Sequence, residues 1–198
     1  AYYGGSSKRN IKNVDLKNNR KNTWGTGLIF NHEIDSIQNV TVAAGFTRQI
    51  SENANKTAYY SNAYALGLAY NFVHTTYGLD LAHKDTKNKG GAGNKVKNNE
   101  VTAVIRQGLN EDWNVYAMYS YKTEKTLPAG SAYSKSTDRQ FLVGTEYYVF
   151  KQGSVKVKPF IEWQATRTKY ENTFDKDSGK QLDRSRDFKT VIGLRAYW

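Results

Sequence analysis

Six cations carry whatever selective chemistry this sequence holds: Arg106, Lys122, Lys156, Lys158, Lys189 and Arg195. Each lies in a run where polar and apolar residues alternate, and each falls on the polar side. A cation fixed on the wall of a narrow aqueous space attracts carboxylates, because a confined solute meets a field that bulk water screens little. Glu100, Glu146, Glu162 and Asp187 share the polar side and offset part of that charge. Arg106, Lys156, Lys158 and Arg195 all fall within a few residues of a short connector or of Trp198, so a basic ring or ladder toward one end is expected. The plainer alternative is a wall of Lys–Glu pairs that only fills space.

Nothing in the sequence assembles an enzyme. His32, His74 and His83 are scattered and lack the spacing of metal ligands. No Asp/His or Ser/His group collects at a rim. The glycines of "KGGAGNK" (89–95) lack the strand-then-helix context and the G-K-[ST] ending of a phosphate loop, and read as a flexible connector. Cysteine is absent, which excludes disulfides and thiolate metal sites. No cofactor or metal is expected.

The elements that must position the six cations are strands. In "SVKVKPFIEWQATRTKY" (154–170), Val155, Val157, Pro159, Ile161, Trp163 and Ala165 alternate with Lys156, Lys158, Glu162, Gln164 and Thr166. Phe160 is the exception. A period of two gives a strand with two different faces. Nine such candidates follow residue 22, at 23–32, 37–48, 58–72, 74–84, 99–109, 113–124, 138–150, 155–170 and 187–198, with a shorter tenth at 1–7. No stretch shows a helical period, and 1–198 reads as one domain.

Connectors alternate in length. Short ones lie at 33–36, around Val73, at 110–112 and at 151–154; long polar ones lie at 8–22, 49–57, 85–98, 125–137 and 171–186. One parity is apolar, with aromatics toward strand ends (Trp24, Phe46, Tyr77, Trp113, Phe141, Phe188). The other is small or polar. A soluble sandwich or lipocalin-like barrel also alternates, but its strands run nearer ~5–6 residues. Runs of ten or more suit a tilted crossing of a bilayer, which takes ~9–11. The expectation is an all-β transmembrane antiparallel β-barrel in a bacterial outer membrane, with short periplasmic turns and long external loops. Closure would remove the sheet edges that lipid disfavours. No signal peptide is visible, although Ala1 would suit the position after a cleavage site.

The formal charge of +11 needs locating. Residues 1–22 carry six cations against Asp15, and residues 84–98 carry five against Asp85, so these two segments hold nine of the eleven. Placed in external loops, they would draw anions toward a mouth or bind lipopolysaccharide phosphates. Nucleic acid is a poor partner, since there is no recognition helix and the tyrosines belong to the apolar face.

The strands "DWNVYAMYSY", "RQFLVGTEYYVF", "VKVKPFIEWQATRTK" and "KTVIGLRAYW" resemble those of the small monomeric outer-membrane porins for acidic sugars. That family includes the oligogalacturonate-specific (KdgM-like) channels and the sialic-acid channel. The resemblance implies a monomeric twelve-stranded barrel with a narrow basic lumen, embedded in lipid and passing small anionic solutes. The first candidate strand aligns with the family's third. Ten strands are therefore visible, either in a ten-stranded relative or in a chain lacking a leading hairpin. Two other readings stay open: a general trimeric-type porin or a fragment of one, and a non-conducting barrel whose basic loops bind surface partners.

Overall fold

The computed structural model describes residues 2–4, 18–53, 58–88, 95–128, 132–174 and 179–198. They form strands β1 (Tyr2–Gly4), β2 (Asn18–Asp35), β3 (Gln38–Asn53), β4 (Ala58–Phe72), β5 (Thr75–Asn88) and β6 (Lys95–Gly108). The rest are β7 (Trp113–Leu127), β8 (Ser134–Tyr147), β9 (Phe150–Gln152), β10 (Val155–Glu171) and β11 (Arg184–Tyr197). Ten of them follow one another in a single antiparallel sheet in chain order, and the short β9 pairs beside the start of β10. Turns of two residues join β2 to β3, β4 to β5 and β9 to β10.

Most strands outrun the apolar alternation that announces them. The stretch 37–48 becomes Gln38–Asn53, and 99–109 becomes Lys95–Gly108. The stretch 138–150 divides into β8 and β9, and only Tyr2–Gly4 of 1–7 falls among the described residues. Ladder hydrogen bonds belong to the backbone, so pairing continues after apolar side chains give way to polar ones on both faces. One correction follows. Arg20, Lys21, Lys84, Lys87, Lys95 and Lys97, expected in loops, lie on β2, β5 and β6, and Lys8, Arg9, Lys12, Lys17 and Lys89 lie outside the described residues.

Burial in this sheet is inverted. Among the described residues no apolar side chain is buried, and the buried ones are Thr23, Ser120, Thr137, Glu146 and Lys158. All but Thr137 belong to the polar face. Trp24, Phe30, Leu66, Leu81, Ile105, Phe141, Ile161, Trp163 and Ile192 stand exposed on the other.

The polar face is concave. Arg106 on β6 reaches Glu146 on β8, Tyr116 on β7 reaches Glu162 on β10, and Arg195 on β11 reaches Glu146. Each contact skips a strand, and flat strands two apart would be separated by ~10 Å. Ring contacts on the apolar face never skip a strand, as in Trp24–Phe46, Phe46–Tyr64 and Tyr70–Tyr77.

The apolar band is not level with the hydrogen-bond ladder. Its last apolar residue on β10 is Ala165, followed on that face by Arg167. On β2 it extends to Trp24. The ladder row through Trp24 runs by way of Arg48, Asn62, Asp85, Lys97, Lys125 and Lys135 to Glu171. Glu171 stands six residues beyond Ala165. Six residues of rise across seven strand spacings make the band oblique to the ladder by about 30°.

Complete closure, expected from the sequence, is not found among the described residues. β11 pairs only with β10, and β1 covers only Thr23–Gly25 of β2. The edges show it: Leu28 on β2 and Ile192 on β11 are each 78% exposed, whereas Leu66 on the interior strand β4 is 37% exposed. An antiparallel neighbour is what these edge residues lack.

Candidate functional site

Three of the six expected cations meet at one carboxylate. Glu146 sits near the end of β8, Arg106 near the end of β6, Lys158 near the start of β10 and Arg195 near the end of β11. Antiparallel order brings these four places to the same end of the concave face. Glu146 Oε1 accepts from Arg106 Nη2 at 2.7 Å and from Lys158 Nζ at 2.8 Å. Its Oε2 accepts from Arg195 Nη1 at 2.8 Å. Glu146 and Lys158 keep only 4% and 7% of their side-chain surface, while Arg106 and Arg195 keep 43% and 36%. A charge so far removed from water must be paired, and this one has three partners.

A second carboxylate extends the cluster. Arg195 Nη2 donates to Glu162 Oε1 at 2.7 Å, and the Tyr116 hydroxyl donates to the same oxygen at 2.6 Å. Aromatic rings wall the group in. The Arg195 guanidinium lies 4.1 Å from the Phe160 ring centre, and Lys158 Nζ stands 5.0 Å from Tyr148 and 5.3 Å from Tyr197. Such contacts favour cations held over ring faces. Three cations against two carboxylates leave the cluster at a formal +1.

Two glycines make room for the rings. Phe160 pairs with Gly193 across the β10–β11 ladder, and Tyr116 pairs with Gly144 across β7–β8. A Cβ on either glycine would come within 2.5 Å of the facing ring. This explains the break in alternation at Phe160: the ring belongs to the polar face and fills a slot left by a missing side chain.

The other expected residues stand apart. Lys122 pairs in register with Glu100, six residues or ~20 Å along β6 from Arg106. It lines a recess of about 480 Å³ with Lys84, Asn98, Glu100 and Glu124, where two lysines balance two glutamates. Lys156 is exposed opposite Lys151 and Tyr197. Lys189 is exposed opposite Gln164 on the edge strand β11. Neither Lys156 nor Lys189 makes an ion pair among the described residues. Of the four cations expected toward this end, Arg106, Lys158 and Arg195 gather on Glu146, and Lys156 stands exposed beside them.

The polar-face wall has further ordered contacts. Thr102 bonds to Ser120, and Ser61 to Thr86, while Glu100 accepts weakly from both Thr102 and Ser120. His83 faces outward near the top of β5, its two ring nitrogens against Asn99 Oδ1 at 2.6 Å and Asp85 Oδ2 at 3.2 Å. His32 stacks on Phe30 and His74 lies in the β4–β5 turn. Among the described residues no three His, Cys, Asp or Glu side chains gather as a metal site. Compared with known protein families, curated proteins and solved structures, the chain matches none of them.

Proposed function

We propose that this sheet is part of the wall of an outer-membrane β-barrel, and that its concave face lines a path for small anionic solutes. The observation that carries the reading is the inverted burial. Charged and hydroxyl side chains are enclosed on the concave face, and an unbroken apolar band occupies the convex one. Water outside would expose that band at a large hydrophobic cost, whereas lipid would solvate it. The ~30° obliquity supports the same reading, because barrel strands tilt by roughly 35–45° and a band level with a bilayer must then cut across the ladder. A complete barrel also requires strands between β11 and β2.

Anion preference rests on Lys156 and Lys189 and on the +1 of the Glu146 cluster, all on the concave face. Acidic sugars as the solute rest on the resemblance of the β7, β8, β10 and β11 sequences to the acidic-sugar porins. The clustering of Arg106, Lys158 and Arg195 around Glu146 favours a second reading, a barrel closed by its own side chains. Conductance in planar bilayers separates the two. An open pore with a reversal potential of anion sign in a KCl gradient supports the channel. Cation selectivity would sink the anion path, and an inserted protein without conductance would favour the closed barrel. Lys156→Glu and Lys189→Glu should each shift the reversal potential toward cations.

A further inference from the structure

The β8–β10–β11 ladder places three arginines side by side on the convex face. Arg167 pairs in register with Arg139 on one side and Arg186 on the other. Like charges directly opposite one another on a sheet are destabilising. Acids lie close by but do not relieve this row. Glu171 stands near Lys135 and Lys169, each at 3.7 Å, and Asp183 stands 3.7 Å from Arg184. Asp138 and Asp187 point to the concave face. Arg139 rests 6.0 Å from the Tyr121 ring centre, and neither Arg167 nor Arg186 makes an ion pair among the described residues. All three are exposed.

The row's position matters as much as its charge. The next row toward the short-turn end is Phe141, Ala165 and Phe188, where the apolar band begins on these strands. Trp163, stacked with Phe188, continues it. Three guanidiniums over ~10 Å of sheet thus stand at the edge of a surface suited to acyl chains. Guanidinium forks match phosphate oxygens, and several can converge on one phosphate.

We infer that the Arg139–Arg167–Arg186 row binds the phosphorylated headgroup of an outer-leaflet lipid whose acyl chains lie along Phe141, Trp163 and Phe188. The inference rests on the membrane reading above, and it moves the anionic-lipid contact from the basic loops to a strand face. Detergent-solubilised protein titrated with bisphosphoryl lipid A in native mass spectrometry tests it. The combined variant Arg139→Gln, Arg167→Gln, Arg186→Gln should bind about 100-fold more weakly, since charge-assisted hydrogen bonds to three groups are lost. The matching triple Arg→Lys variant should fall between the two, keeping charge and losing the fork. Because the change to Gln removes like-charge repulsion, folding should be retained. Equal binding by the triple Gln variant, or by lipid A stripped of its phosphates, overturns the site. Inorganic phosphate bound at the row as tightly as lipid A overturns the lipid occupant. Insertion of wild-type protein into phosphatidylcholine vesicles is scored separately by protease protection. Failure there removes the membrane reading, whereas insertion with unchanged lipid A binding removes only this site.

Discussion

Replacing Glu146 with Gln is the sharpest perturbation of the concave face. The substitution keeps the shape and removes the only charge shared by Arg106, Lys158 and Arg195. The two arginines keep about two-fifths of their side-chain surface and can rehydrate, and Arg195 retains Glu162. Lys158 has only 7% of its surface and no second acid among the described residues, so the cost falls mainly on its ammonium. Leaving one member of a buried pair without its partner costs about 3–5 kcal/mol. Lys158→Met, by contrast, leaves Glu146 paired with both arginines and should cost about 1 kcal/mol or less. The double variant Glu146→Gln, Lys158→Met removes the stranded charge and should recover about 2 kcal/mol of the single-variant loss. Equilibrium urea unfolding, followed by fluorescence of Trp24, Trp113, Trp163 and Trp198, measures all three. A loss below about 1 kcal/mol for Glu146→Gln would refute the buried-charge account. So would a double variant no more stable than Glu146→Gln alone.

Other tests address the packing, the turns and the band. Gly193→Ala and Gly144→Ala should each destabilise by about 1–3 kcal/mol in the same urea assay, because the new methyl overlaps a ring. Phe160→Leu should relieve the first and Tyr116→Leu the second; no relief would mean that the rings do not occupy those slots. Val73, at φ 53° in the β4–β5 turn, holds a backbone conformation that Asn tolerates better. Val73→Asn should therefore stabilise by up to about 1 kcal/mol on thermal unfolding, and a loss would count against the turn geometry. Polarised infrared spectra of protein in oriented bilayers should give a strand tilt of roughly 30–45°, and strands parallel to the bilayer normal would contradict the oblique band.

The faces of the sheet were legible in the sequence because each side chain of β10 answers to its immediate surroundings. Val155 to Ala165 therefore alternate with Lys156 to Thr166, Phe160 excepted. The cluster was less legible because its members are remote. Glu146 takes its cations from 40, 12 and 49 residues away, and one-strand patterns carry no record of which acid will be shared. Phe160 looked like a fault until Gly193, 33 residues on, supplied its slot. A large aromatic on a polar parity with a glycine on the parity of another strand was the available signal. Strand ends were hidden for a different reason: beyond the apolar band both faces are polar, so Lys84 to Asn88 carry no period although the ladder continues.

The open edges also constrain how this protein would be assembled. Along β11 and the uncovered part of β2, alternate peptide groups point outward with no strand to receive them among the described residues. Each would cost several kcal/mol in hydrocarbon, so an edge as long as β11 would forfeit tens of kcal/mol if it entered lipid bare. A barrel wall of this kind would therefore not enter lipid hairpin by hairpin. On the membrane reading proposed above, the sheet would acquire its bridging strands at the water boundary or while a helper holds its edges, and completion of the wall and passage into the bilayer would be a single kinetic event.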